Sequence, residues 1–260
     1  MKILVVDQAV RVAGNLLDYT GGAALLLVQT LYHAMRPPFR LSSIIEEIDR
    51  IGVRSLTVVN VIAVFTGMVL ALQTALVLTR FGAKGYIGVV VALSLVREIG
   101  PVFTAIMVGG RVGSGITAEI GTMAVTEQID AMRVMGTNPV KQLVVPKVIA
   151  TVLTLPLLTL VAIILGILGG LAISMMELQV NPYYYFSTIL DTLTFPDFAS
   201  GLGKTFFFGL IIGIIGCHQG MITTGGTVGV GRSTTITVVV VSILILVSDF
   251  FLTKMFILLI

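Results

Sequence analysis

The chain is short of charge. Asp, Glu, Lys and Arg together make up 11% of its 260 residues, where a soluble domain carries about 25%. Too few polar groups remain to coat a globule, which excludes an ordinary cytosolic enzyme, a disordered tail and a secreted scaffold. Cysteine is nearly absent. Cys217 alone excludes a disulfide framework within one chain and a Cys-based zinc site. Two histidines, His33 and His218, leave little for metal chemistry, and no metal site is expected. The net charge of +3 is too small and too scattered for a nucleic-acid surface. What is abundant is apolar: 56% of residues, with a mean hydropathy of +1.07. The chain reads as an all-α polytopic integral membrane protein.

A spanning helix needs about 20 mostly apolar residues at 1.5 Å rise each. Five runs qualify: Ser55 to Thr79, Gly85 to Gly110, Val148 to Met176, Phe198 to Met221, and Ser233 to Ile260. Basic residues set their orientation. With the N-terminus inside, Lys2, Arg11, Arg36, Arg40, Arg50 and Arg54 precede the first span on the cytoplasmic side. Arg111, Arg133, Lys141, Lys147 and Arg232 fall in the inner loops. The outer side holds only Arg80 and Lys84, and the outer segment from Glu177 to Asp197 is acidic without a base. This bias predicts a cytoplasmic N-terminus and an outer C-terminus.

Residues 1–54 form a separate region in this reading and 55–260 the membrane domain. Ile3, Val6, Val10, Ala13 and Leu17 share one helical face, opposite Asp7, Arg11, Asn15 and Asp18. Leu41, Ile44, Ile45, Ile48 and Ile51 make a second apolar stripe, with Ser43 and Glu46 spaced as a capping box. Both predict interfacial amphipathic helices. The apolar segment from Gly21 to Met35 is too short to span and predicts an interfacial or re-entrant piece.

Two charges interrupt the second span. Arg97 and Glu98 lie roughly 16–20 Å into it, near the bilayer centre. Each costs on the order of 2.5–3.5 kcal/mol there. Adjacent residues on a helix diverge by about 100°, so the two do not neutralise each other. Each needs its own partner or a wet cavity, and Lys204 and Asp249 are the candidates. Either an ion pair fixing the bundle or a polar spot in a translocation path would result. Between the second and third spans the glycines Gly109, Gly110, Gly113 and Gly115 open a long inner loop. Within it Met123 to Met135 predicts a helix, closed by Gly136 and stopped by Pro139. A short mixed helix held between two spans suits docking of a cytoplasmic partner.

No nucleotide-binding loop is present: Ser200 to Thr205 reads SGLGKT, but Phe198 stands where the first glycine of a Walker A motif belongs. Lys204 there either snorkels or pairs with an acid. The glycine-rich stretch from Thr223 to Arg232 predicts a flexible inner loop, and His218 a core or helix-contact residue. Gly166 with Gly170, and Gly209 with Gly213, predict close helix packing. No nucleophile–base set or metal-protease motif occurs.

GMVLALQ, the block VALSLVREIGPVFTAIMVGGRVGSGITAEIGTM, and TEQIDAMRVMGTNPV together resemble the MlaE family. These are permease subunits of ABC transporters that move phospholipids across the bacterial envelope and maintain lipid asymmetry. The resemblance covers nearly the whole chain, is tightest from Val91 to Val140, and is looser in the fourth span. It implies a multi-pass protein of the bacterial inner membrane with a periplasmic C-terminus. It implies a homodimer of this chain, a cytoplasmic ABC ATPase that binds ATP and Mg, a STAS-domain protein on that ATPase, and a periplasmic MCE-domain hexamer. No cofactor would sit on the chain itself, which would not be an enzyme. The helix at 122–136 would be the coupling helix, with Glu119, Glu127, Gln128, Asp130 and Arg133 facing the ATPase. Phospholipid would be bound by Leu70, Gln73, Val77, Leu78 and Phe81, above Arg97 and Glu98, with Lys204 assisting. The residues alone leave a second reading open: a proton-coupled secondary transporter of an amphiphile, with Glu98 and Asp249 as relay carboxylates. The absence of an inverted repeat weighs against it.

Overall fold

The computed structural model describes residues 2–37 and 41–259, which are helical and contain no strand. We number the helices α1 (Lys2–Ala34), α2 (Leu41–Arg80) and α3 (Lys84–Val125), α4 (Gln128–Val134), α5 (Val140–Leu178), α6 (Pro182–Thr192), α7 (Phe195–Met221) and α8 (Gly226–Leu259). Five of these are long and apolar enough to cross a membrane, namely α2, α3, α5, α7 and α8. The five expected spans are therefore present, most of them longer at their ends.

The bundle has two ends. α4 and the turn at 222–225 lie at one, called here the α4 end; the link from α2 to α3 and the start of α6 lie at the other. α3, α5 and α7 form the centre, while α2 and α8 flank it with apolar faces turned outward. Glycine makes the central contacts possible. A Cβ on Gly67 of α2 would stand 1.8 Å from the Gly166 carbonyl oxygen of α5, and one on Gly209 of α7 2.8 Å from the Thr151 oxygen. The expected small-residue faces of Gly166, Gly170, Gly209 and Gly213 are all helix contacts.

The structure corrects several local expectations. α1 is one helix, not two segments; its second half lies across the α4 end, where Tyr19 meets His218 edge-on at 4.9 Å. The faces expected for Ile3, Val6, Val10 and Ala13 involve side chains outside the described residues. The amphipathic stretch 41–51 is continuous with the first span through a π-helical turn, Asp49–Val53. The glycines from Gly109 onward do not open a loop: Gly109–Gly113 is a second π turn inside α3. Tertiary packing overrides glycine's weak helix propensity here. Gly109 lies under Val241, and the buried Thr117 hydroxyl bonds Gly113 and Gly216 carbonyls and the Thr237 hydroxyl. Likewise α8 begins at Gly226, so the expected loop at 223–232 is mostly helix after a tight turn with Gly225 and Gly226 at positive φ.

The acidic segment from Glu177 to Asp197 is also more than a loop. Asn181 caps α6, Pro182 opens it, and the helix runs back along the first turns of α3. Tyr184 reaches Gly85, Tyr185 packs on Gly88, and Ile189 joins Ala92. Burial holds the Tyr185 phenol well above its ordinary pKa, so it stays protonated. By this route α6 delivers the start of α7 to the depth of Arg97.

Candidate functional site

Arg97 and Glu98 sit in a third π turn, Leu95–Ile99, followed by Pro101. π turns displace side chains from the regular helical register and are common at functional sites. Here the two charges part company. Arg97 donates to Asp197 Oδ1 from Nε at 2.6 Å and pairs through Nη2 at 2.5 Å. The other Asp197 oxygen, Oδ2, accepts from the Thr194 backbone and hydroxyl at 2.8 Å, so one carboxylate caps α7 and holds Arg97. Glu98 takes Lys204 instead, at 2.7 Å from Nζ to Oε2.

Lys204 is fully buried and surrounded by acceptors. Its Nζ lies 2.6 Å from the Thr253 hydroxyl, 3.1 Å from Asp249 Oδ1 and 3.2 Å from the Arg97 carbonyl oxygen. Pro101 has no N–H, so the carbonyl four residues before it lacks its usual helical donor; the lysine supplies one. Gly201, one turn away on α7, lets the two helices approach: a Cβ there would stand 2.0 Å from the Val96 carbonyl oxygen. Lys204 therefore pairs with acids and does not snorkel.

A cavity of about 330 Å³ opens over this layer, lined by Arg97, Glu98, Asp197, Thr253, Phe256 and Ile257 among others. A wider recess of about 610 Å³ adjoins it around Glu98 and Asp249, walled by Leu246, Phe250, Ile257 and Leu258. Arg97 lies 14 residues from Arg111, or about 21 Å along α3, so the layer is deep within the span. An arrangement of paired charges beside apolar walls can hold a molecule with one polar and one apolar part.

The expected residues of the first span divide. Gln73 and Val77 stand exposed on the outward face of α2, and Phe81, four residues on, is exposed just past its end. Leu70 and Leu78 are part-buried against Ala71, Ala75 and Ile87. A single chain thus brings Arg97, Glu98 and Lys204 together but does not bring the α2 set onto the cavity. Sequence reasoning missed Asp197 as the partner of Arg97. The pattern Thr194-Phe-Pro-Asp197, a helix-start signature before an apolar run, was the signal available.

At the α4 end the helix expected over 122–136 is broken. α3 runs to Val125, Glu127 takes a left-handed conformation at φ 60°, and α4 follows over seven residues. Gly136 closes it at φ +74°, as expected of a C-cap. Ile129 anchors α4, while Gln128, Asp130, Arg133, Val134 and Met135 face outward. Asp130 and Arg133 pair at 2.9 Å on this surface. Glu119 lies apart, inside α3, where its carboxylate takes Lys147 at 2.9 Å and Arg50 at 2.6 Å. Lys147, buried, also holds Glu47 at 2.5 Å.

Comparison with known proteins gives these features a context. The model of the permease MlaE family matches residues 44–255. A probable ABC transporter permease protein of Rickettsia conorii is 44% identical over 91% of each chain. One of Synechocystis is 42% identical over 88% of each. The chloroplastic protein TRIGALACTOSYLDIACYLGLYCEROL 1 of Arabidopsis thaliana is 36% identical over 88% of this chain and 65% of its own. The chain belongs to the MlaE family and is the permease subunit of an ABC transporter.

Proposed function

We propose that this permease moves phospholipid across the bacterial envelope, driven by ATP hydrolysis on a separate cytoplasmic ATPase. The observation that carries the reading is the cavity over Arg97, Glu98 and Lys204: paired charges at mid-depth beside apolar walls. An ion needs no apolar wall, and an apolar solute needs no buried charge; a phospholipid uses both. The name of the Arabidopsis relative contains a galactosylated diacylglycerol, which supports a lipid cargo without naming a phospholipid.

In this reading the α4 end faces the cytoplasm of a bacterial inner membrane, where Arg50, Arg54, Arg111, Arg133, Lys141 and Lys147 lie, and the C-terminus faces the periplasm. ATP and Mg stay on the ATPase, which can carry a STAS-domain protein; an MCE-domain hexamer receives or delivers lipid on the periplasmic side. Two copies of the chain face each other through α2, which turns Gln73 and Val77, with Phe81 just past its end, toward the shared lipid. α4 is the coupling helix. Its exposed Val134 and Met135 supply an apolar contact, and Glu127, Gln128, Asp130 and Arg133 a polar rim. Glu119 acts behind it, through Arg50 and Lys147.

The test reconstitutes the chain with its ATPase in vesicles containing a fluorescent phospholipid. Wild type should transfer lipid in the presence of ATP. Glu127→Lys should retain bound lipid but lose ATP-dependent transfer by about tenfold, the equivalent of about 1.4 kcal/mol of coupling. Transfer by the chain alone under a pH gradient would replace this reading with proton coupling through Glu98 and Asp249.

A further inference from the structure

The α4 end holds a second cavity, of about 190 Å³, between the kinked start of α2 and the later part of α3. Three guanidinium-bearing residues line it: Arg50, Arg54 and Arg111. The two carboxylates at its edge, Glu47 and Glu119, are already engaged by the buried Lys147 and by Arg50. Four cations thus face two carboxylates. The Arg54 side chain has no acidic partner among the described residues, while its carbonyl accepts from Arg111 Nη1 and so holds the second guanidinium beside it.

Two further observations point to a ligand. Ser55, only 2% exposed and lining the same cavity, has a hydroxyl with no hydrogen-bond partner among the described residues. A Cβ on Gly115, on the opposite wall, would meet nothing within 4 Å. A buried hydroxyl donor and an excess of guanidinium around an open space are complementary to a phosphate, which accepts from both, and from arginine in paired fashion. Above the cavity, toward mid-membrane, α2 continues with exposed Val58, Val61 and Phe65. Below it, Leu41 and Ile45 are exposed on the amphipathic start of α2, a position that suits the headgroup boundary.

We infer that the pocket between Arg50, Arg54, Ser55 and Arg111 binds a phosphate group at the α4 end, and that its ligand is an anionic phosphate carried by a lipid or free in solution. The site is separate from the cavity over Glu98. It stands whether or not that cavity carries cargo. Basic pockets between membrane helices take anionic headgroups in this way.

The sequence contains no tryptophan, so Val58→Trp introduces a single tryptophan, excited selectively over the tyrosines, one turn from Arg54. The full chain carrying it is placed in nanodiscs of phosphatidylcholine with a minor fraction of brominated phosphatidylglycerol, whose tails quench tryptophan. Brominated diacylglycerol, which lacks phosphate, serves as the comparison. Quenching by the phosphatidylglycerol should exceed that by diacylglycerol about fivefold at equal fraction. Arg54→Gln should remove the excess, Arg54→Lys should keep most of it, and Gly115→Leu, which fills the cavity without touching an ion pair, should also remove it. Inorganic phosphate that abolishes the excess, where chloride at equal ionic strength does not, identifies a site for free phosphate; failure to compete identifies the headgroup. Equal quenching by both lipids, or an excess that survives both Arg54→Gln and Gly115→Leu, overturns the inference.

Discussion

Lys204 shows how one side chain can decide the chemistry of a layer. Removing an ammonium from water costs several kcal/mol even after relaxation, and the cost is offset only by good geometry and a full set of acceptors. Two carboxylates, a hydroxyl and a backbone carbonyl supply that set within 3.2 Å. Removing the lysine would leave Glu98 and Asp249 facing each other without a cation. Lys204→Met should therefore destabilise the chain by about 3 kcal/mol, the lower end of the range for a broken buried pair, because Glu98 is partly open to the cavity. Adding Glu98→Gln and Asp249→Asn should restore much of the loss, because no uncompensated charge then remains. Thermal unfolding of the full chain in detergent would measure both. A single mutant that melts with wild type would mean the ammonium is not buried as described. Asp197 has a comparable double duty, since its two oxygens join the cap of α7 to Arg97.

At the scale of elements, the π turns and the glycine contacts decide where the charges point. In an unbroken α-helix Arg97 and Glu98 would keep the ordinary angular step. The turn at Leu95–Ile99, with Pro101 behind it, places one toward α7's first turn and the other toward Lys204 and α8. That geometry depends on helices approaching to backbone contact. α2 meets α5 at Gly67, Gly166 and Gly169, where a Cβ at Gly67 or Gly169 would fall within 2.4 Å of a facing carbonyl oxygen. In a membrane such contacts replace the hydrophobic drive that water would supply. Gly67→Ala must push α2 away from α5, and a cost of about 1–3 kcal/mol is expected from overpacking. Thermal unfolding in detergent reads this directly, and an unchanged midpoint would mean that the two backbones do not touch. The elements also explain the misread loops. Both Gly109–Gly113 and Gly226–Gly231 carry weak intrinsic helix preference; the first is held by burial against α8, while the second is largely exposed and continues the helix that packs from Ser233 onward.

For the whole molecule, six of the seven ion pairs among the described residues fall into two layers about 33 Å apart along α3, from Arg97 to Glu119. One holds Arg97, Glu98, Asp197, Lys204 and Asp249; the other holds Glu47, Arg50, Glu119 and Lys147, next to α4. α3 runs through both, and α4 follows it after the break at Thr126 and Glu127. The outward face of α2 is where a second copy is proposed. Cys217 is fully buried, so Gln73→Cys provides the accessible thiol. A short bis-maleimide should convert most of that variant to a covalent dimer in membranes, read on a denaturing gel, while Val239→Cys on the outward face of α8 should not. Equal cross-linking at both positions would place the interface elsewhere. The sequence by itself determined the class of molecule, the number of spans and the presence of charges needing partners. These follow from length and transfer free energy, which each segment carries within itself. The family was legible for a similar reason, because the block from Val91 to Val140 is continuous in the chain. Of the ion pairs only that of Glu98 with Lys204 was legible. Arg97 and Asp197, Lys204 and Asp249, and Lys147 and Glu47 are joined only by the register of helices packed on glycine. Only the tertiary structure fixes that register, because the helices can take it only where several side chains from different spans fit at once.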